Sequence, residues 1–499
     1  MKLRYRLPAI GLAATLLLTP AAQALTPAET LSLLENYYLD SIPEQVYELT
    51  DVKEMIQALG DPYTQYFTAE EYEAFRASLS DSELVGAGIS LKVADNGVLV
   101  TRVMSGSAAA EAGMLPGDVI TAIDGQSVAG MSQEQASDLL SGEEGSSFQV
   151  TYLRDGQSTT VTLTRRAFVV PAAFSELRED HIGYITCITF GPDTAGHVLE
   201  GLETNAGQAD HWLMDLRSNG GGEISAALET ISYFIGPGDE LVYMLTGDGS
   251  LVAQGSEHAQ VTDKPLIVLT DAYTASASEL FSSAIRDTDS GLVVGGRTYG
   301  KGVAQALLDS EALPDLFPNG DALKLTISRF FGPAGTSHDT IGIMPHLLID
   351  SLLADEAAIL LSGNKPQGDT SGTVRIDLNG SWYINLEQAC SDTYREAFTQ
   401  VLEALPDSIP LWKGTGDDWE ATTAAALAAS CGLSSYTHRG FTDTDQSPYA
   451  DEIDLLATYR VVLGAGDGTY HPSETLTRGQ LCTLLAQALN CKTPTGESA

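Results

Sequence analysis

The sequence predicts a multi-domain protein, part α+β and part α/β, on three observations. Apolar residues recur at helix spacing up to about Ser80, short strand-like runs parted by Gly and Asp turns fill Leu84–Arg165, and strand and helix patterns alternate over 180–350. The 499 residues suffice for roughly three domains. Acidic residues number 67 against 26 Lys and Arg, a formal charge of -41, so the surface repels phosphate backbones and nucleic acid is excluded as a partner.

Residues 1–24 read as a signal peptide. Lys2, Arg4 and Arg6 precede the apolar run Leu7–Leu18, and Ala22-Gln23-Ala24 supplies the small-x-small pattern cut by a signal peptidase, with cleavage expected after Ala24. A membrane anchor is the weaker reading, because the run is short of the ~20 residues a spanning helix needs and Pro8 and Thr15 interrupt it. The mature chain is expected to be exported, with no transmembrane segment.

Residues 25–81 read as helical, with Leu31, Leu34, Tyr38, Val46, Leu49, Val52, Met55, Ile56 and Leu59 in register and Gly60-Asp61-Pro62 as the stop. Residues 82–166 predict strands at Leu84–Leu91, Gly97–Val103, Val119–Ile123, Phe148–Leu153 and Thr159–Leu163, with one helix opened by the capping box Ser132-x-x-Gln135. Within 167–361, strands Trp212–Leu216, Pro265–Thr270 and Leu292–Val294 lead respectively into the glycines 220–222 and a helix Ile224–Ile235, a helix from about Ser278 to Asp287, and the loop Gly295–Gly302. Loops leaving the carboxyl ends of such strands converge on one crevice, where ligands bind. Residues 362–372 read as a polar linker, and 373–436 as a helical segment (Leu386–Leu405 and Trp419–Ala429) without assigned chemistry. Residues 437–491 read as a compact helical module around the turn Gly464–Thr469. The five cysteines are scattered and odd in number, so no disulfide framework or zinc site is legible, and no H-E-x-x-H occurs; no metal or cofactor is called for.

The chemistry concentrates in three loops. Ser276-x-x-Glu279 is a capping box in its bland reading, and in its functional one Ser276 is a nucleophile at a helix amino terminus, where free amides and the macrodipole stabilise developing negative charge. Lys301 decides between them: it lies 25 residues later, in the loop after the next strand, between Gly300 and Gly302. A desolvated, neutral lysine can take the proton of a hydroxyl, which makes a Ser-Lys dyad. Gln305 is placed to hold the amine, and the glycines 220–222 are either a helix entry or, with the amide of Ala277, an oxyanion hole. G-x-x-x-x-G-K-[ST] is absent, so phosphate cradling is not indicated.

These motifs together resemble the carboxyl-terminal processing peptidases, tail-specific serine peptidases with an inserted PDZ domain. The resemblance covers 26–350 and rests on Leu59–Phe67 with Glu70-Glu71-Tyr72, Val85–Ile89, Pro116–Ile120, Ile123-Asp124-Gly125, Asp215–Gly222, Thr274–Glu279, Tyr299–Gly302 and Gln305. It implies a PDZ domain and a crotonase/ClpP-like α/β core, with Ser276 as nucleophile, Lys301 as base, Gln305 as its orienter, Gly221 and Ala277 as oxyanion donors, and Val85, Gly86, Ala87, Gly88 and Ile89 as the loop binding a terminal carboxylate. Gly220 stands where the family often has proline, Thr274 where it often has serine, and His346 where an acidic residue is usual. The tail, through Phe441-Thr442-Asp443, Tyr449-Ala450, Gly464–Pro472 and Thr477-Arg478, is similar to an S-layer homology module, which implies a secondary cell-wall polymer as partner. The expected function is an exported serine endopeptidase acting on protein or peptide C-termini. A catalytically silent PDZ scaffold and a wall-binding surface protein with a vestigial peptidase are the alternatives.

Overall fold

The computed structural model describes residues 25–491 apart from 80, 81, 95, 105, 155, 180 and 239; the signal peptide expected at 1–24 lies outside the described residues. The chain divides into two compact units, Arg76–Ala172 and the remainder.

The larger unit is built on a six-stranded sheet in the order Ala173–Arg178, Ile182–Cys187, His211–Asp215, Leu266–Thr270, Leu292–Gly295, Leu347–Leu348. The first pair is antiparallel and the others are parallel. Successive side chains of a strand face opposite layers. Trp212, Met214, Val268 and Val293 therefore enter one core, closed by the helices Thr194–Asn205, Ile224–Ile235 and Ala277–Asp287. Leu213, Ile267, Leu269 and Val294 enter a second, closed by the helix Ala354–Leu361 and by residues 373–433. Burial on both faces is why these strands read as unbroken apolar runs.

The cover of that second face corrects the reading of 373–436 as helical. It carries a four-stranded sheet in the order Ser381–Asn385, Thr373–Asp377, Leu411–Gly414, Trp419–Thr422. The expected helix Leu386–Leu405 is broken into Leu386–Ala389 and Arg395–Glu403, and Trp419–Ala429 starts as strand, turning helical only at Ala424. Val374, Ile376, Trp382 and Ile384 sit at period two and bury against the six-stranded sheet, and that alternation outweighs the helix-like spacing downstream. The linker expected at 362–372 is likewise an ordered connection: Ser362 is fully buried, and Thr370 Oγ1 donates toward Gly416 O and Asp418 O. Cys390 and Cys431 form a disulfide here.

A second sheet joins Gln65–Phe67, Ala322–Phe331, Glu240–Thr246 and Leu251–Gly255, with Val303–Leu308 paired to Ala322–Phe331. The helices Pro27–Tyr37 and Val52–Ala58 close on it through Leu33, Leu34, Met55 and Ile56 against Leu308, Phe317, Leu323 and Leu325. The C-terminal module contributes helices Ala450–Thr458 and Arg478–Ala488. Arg439 ties it to the sheet by donating to Thr458 O and Leu348 O while pairing with Glu403.

The smaller unit has a sheet of Ile89–Ala94, Gly97–Val103, Val119–Ile123, Ser147–Arg154 and Gln157–Thr164, with Gln126–Ser127 beside the third. The helix Gln133–Leu140 opens on the expected Ser132 and Gln135 box. The expected strand Leu84–Leu91 breaks at Ala87-Gly88, and its first half, Ser82–Gly86, pairs instead with Arg166–Val170. Among the described residues no helix is long and apolar enough to cross a membrane.

Candidate active site

The fully buried strand Leu266–Thr270 ends in a tight turn, and the helix Ala277–Asp287 starts seven residues later with Ser276 between them at φ 58, ψ -117. That backbone conformation costs a non-glycine residue about 1–3 kcal/mol and persists only where neighbours enforce it. Here Asp271 Oδ1 accepts from the amides of Tyr273 and Thr274, Thr274 Oγ1 donates to Leu216 O, and the Ala275 amide donates to Asn219 O. The turn is thus locked to Asp215–Gly222. On that side Arg217 forks onto both oxygens of Asp215 at 2.9 and 2.7 Å, and Asp271 accepts from the Ser218 amide.

Gly221 lies directly against the serine. It has φ 100, and a Cβ there would stand 2.7 Å from Ser276 Cβ and 2.8 Å from the Ala277 nitrogen. Its amide, expected to face an oxyanion, donates instead to Asn219 Oδ1 at 2.8 Å. Gly220 is exposed, and among the described residues neither its amide nor that of Ala277 has a hydrogen-bond partner. Among the described residues the free amide pair is therefore Gly220 with Ala277, in place of the expected Gly221 with Ala277, and Gly221 serves close approach.

Glu279 joins the serine to the lysine loop. Fully buried, its Oε2 accepts from the amides of both Ser276 and Lys301 at 2.8 Å, so those two nitrogens lie within twice that distance of each other. Its Oε1 accepts from Thr298 Oγ1 at 2.6 Å and the Gly300 amide at 2.7 Å. Burial raises its pKa against the pull of these donors, yet all four partners donate, which suits a carboxylate.

Lys301 places its Nζ 4.9 Å from the centre of the Tyr63 ring. Burial pushes its pKa down to about 8 and the positive charge of Lys324 pushes the same way, against Glu279 and Asp61. Lys324 extends from Ala322–Phe331, its Nζ 5.1 Å from the ring centre of Phe75 and 5.6 Å from that of Phe67. Gln305 was expected to hold the Lys301 amine; its Nε2 donates to Thr326 Oγ1 at 3.2 Å, and among the described residues it makes no hydrogen bond to Lys301. The partner strand offers a hydroxyl at the residue paired with Gln305, which accounts for the difference. No histidine hydrogen-bonds Ser276 among the described residues: His346 Nδ1 accepts from the Val293 amide, and His338 is buried edge-on against Phe330.

Sequence reading missed the bridging role of Glu279, the anchor Asn219 and the second cation Lys324. Only Glu279 carried a signal, as the last residue of the capping box Ser276-x-x-Glu279.

In the smaller unit, Ala87-Gly88 forms the bend between Ser82–Gly86 and Ile89–Ala94. The Ala87 carbonyl accepts from Ala109 and that of Gly88 from Met104, and Gly88 has φ 73 with no room for a Cβ, which would fall 2.1 Å from Ser107 Cβ.

Residues 181–349 match the sequence profile of peptidase family S41, 86–164 that of a PDZ domain and 440–482 that of an S-layer homology domain. A carboxyl-terminal-processing protease of Picosynechococcus sp. is 31% identical over 310 residues, 60% of this chain and 72% of that protein. The chain belongs to the carboxyl-terminal processing proteases of peptidase family S41. The S41 protease is also 26% identical over 381 residues to the carboxy-terminal processing protease CtpA of Bacillus subtilis, covering 74% of this chain and 80% of that one. It spans 61% of the chloroplastic carboxyl-terminal-processing peptidase 2 of Arabidopsis thaliana, at 31% identity over 325 residues and 62% of this chain. A solved photosystem II D1 C-terminal processing protease aligns at TM-score 0.41 with 25% identity, over 66% of this chain and 93% of that one.

Proposed function

We propose that this S41 protease is an exported serine endopeptidase that grips an exposed protein C-terminus with its PDZ domain and cleaves upstream through a Ser276 acyl-enzyme, with Lys301 as general base. The observation that carries the reading is the shared carboxylate: Glu279 Oε2 holds the Ser276 and Lys301 amides together, beneath a lysine whose burial favours the neutral amine. In the first step Ser276 Oγ attacks the scissile carbonyl as its proton passes to Lys301 Nζ, and the amides of Gly220 and Ala277 receive the oxyanion. Lys301 then protonates the leaving amine, and the neutral lysine takes a proton from the water that releases the acyl group. The Ala87-Gly88 bend offers backbone amides to a terminal carboxylate, with apolar side chains beside it, a mode PDZ domains use. The Cys390–Cys431 disulfide suits an oxidising compartment and so supports export. The S-layer homology domain supports attachment to a wall polymer.

The test is cleavage of peptides with free apolar C-termini by the full chain. Ser276→Ala abolishes turnover. Lys301→Arg keeps the charge but cannot accept a proton, and lowers turnover by about 10²–10⁴-fold, the usual worth of a general base. Near-normal turnover in Lys301→Arg, or a folded single-histidine variant as inactive as Ser276→Ala, overturns the dyad. Amidated peptides bind the full-length Ser276→Ala protein more weakly than free acids; equal binding removes the carboxylate-loop assignment.

A further inference from the structure

Arg297 stands four residues before Lys301, in the loop that leaves the strand Leu292–Gly295. It is half-buried, and among the described residues no carboxylate pairs with it and its Nε has no partner. Its two terminal nitrogens donate instead to the last carbonyls of the C-terminal module, Nη1 to Gln487 O at 3.0 Å and Nη2 to Ala488 O at 2.5 Å. Those carbonyls close the helix Arg478–Ala488, where the macrodipole concentrates negative charge and a cation is favoured. None of that helix's side chains is buried, and Leu481 and Leu485 are about half exposed, so its end is held to the peptidase unit where its length is not. On the other side of Arg297 the chain is pinned at once: Thr298 Oγ1 donates to Glu279, the Tyr299 amide to Thr274 O, and the Gly300 and Lys301 amides to Glu279.

We propose that Arg297 is a positioning residue that couples the C-terminal module to the loop carrying Lys301, so that the state of the module sets the placement of the base. The inference rests on the Ser-Lys reading above. Groups facing the Lys301 amine are Asp61 and Tyr63 ahead of Gln65–Phe67, Glu279 on the serine's helix, Lys324 on Ala322–Phe331, and, about Tyr63, Tyr299 and Asp339. None belongs to the module, so the module reaches the amine only through the loop. A loosened loop admits water to the amine, and its pKa rises toward the ordinary lysine value.

The experiment uses the full chain with Arg297→Met, Arg297→Lys, Leu485→Pro to break the terminal helix, and the Arg297→Met/Leu485→Pro double variant. Arg297→Met and Leu485→Pro should each lower kcat several-fold at unchanged KM and move the rise of rate with pH to higher pH. The double variant should be no worse than the poorer single one, since both cut the same link, and Arg297→Lys, which keeps a cation at the helix end, should recover part of the rate. Hydrogen exchange at the Gly300 and Lys301 amides in a Ser276→Ala background reads the coupling without turnover and should quicken in both single variants. Unchanged exchange and pH profile in Leu485→Pro, or effects that multiply in the double variant, overturn the proposal. Lys301→Arg run alongside separates the two readings: if it is inactive while the Arg297 variants are normal, the coupling falls and the dyad stands, and if it is active the dyad falls while exchange still decides the coupling.

Discussion

Replacing Glu279 with glutamine changes one atom's chemistry and almost nothing of its shape, which makes it a sharp probe of the site. The carboxylate accepts four hydrogen bonds, two per oxygen, from three backbone amides and one hydroxyl. Glutamine turns one oxygen into an NH₂: turned toward the Ser276 and Lys301 amides it loses both bonds, and turned toward Gly300 and Thr298 it loses the Gly300 bond while the Thr298 hydroxyl can turn to accept, so one or two bonds are lost at a side chain with no water-exposed surface. Hydrogen bonds to a charged group are each worth about 1.5–3 kcal/mol, so the loss is about 1.5–6 kcal/mol. Set against a total stability of about 5–15 kcal/mol, such a drop is visible in urea unfolding as a lower midpoint at unchanged m. Either flip displaces an amide of the Ser276–Lys301 bridge or of the Lys301 loop, so on the Ser-Lys reading kcat at saturating peptide should fall as well. A Glu279→Gln enzyme with an unfolding free energy within about 1 kcal/mol of the parent and full kcat would show that the bridge holds neither the fold nor the site.

Lys324→Met removes a positive charge that helps depress the Lys301 pKa from its ordinary 10.5 to about 8. On the Ser-Lys reading the active form is the neutral amine, so activity should rise as pH climbs through that value, and in the variant the rise should move to higher pH; a pH–rate profile that stays in place refutes the role given to Lys324. Gly221→Ala should eliminate turnover while the protein still folds, because the new methyl enters within 2.7 Å of Ser276 Cβ at a backbone φ of 100; kinetics beside far-UV dichroism checks this. Reducing the Cys390–Cys431 link, which closes a separation of 41 residues, should lower stability by about 4 kcal/mol on the chain-entropy scale, read as a drop in Tm with and without reductant.

What the sequence made legible follows what local patterns encode. The strands Trp212–Leu216 and Pro265–Thr270 stood out as apolar runs because both faces of the sheet are covered, and Ser276, Lys301 and the glycines 220–222 stood out because they fall in loops after successive strands, with Lys301 25 residues after Ser276. The cover of the second face did not, since Val374, Ile376, Trp382 and Ile384 acquire meaning only against Leu213 and Ile267, about 160 and 110 residues earlier in a chain whose long-range pairings leave no local trace. Lys324 was invisible for a similar reason: on its own strand it is one charge among alternating residues, and its effect on Lys301, 23 residues earlier, arises only in the folded chain. Gly221 was expected to be an oxyanion donor, but Asn219 two residues earlier has an acceptor that takes its amide.

The pairing of Gln65–Phe67 with Ala322–Lys324 bears on when this protease first becomes able to cut. These partners are separated by some 257 residues, a loop closure that comes late because its entropy must be met before the pairing rewards it. Until the second strand docks, Leu33, Leu34 and Met55 have no Leu323 or Leu325 to cover them, and neither Tyr63 nor Lys324 stands beside Lys301. On the Ser-Lys reading, a partly folded chain thus carries a solvated, protonated lysine where the finished fold has a base, and late closure of this pairing would keep it from cutting its own unfolded segments.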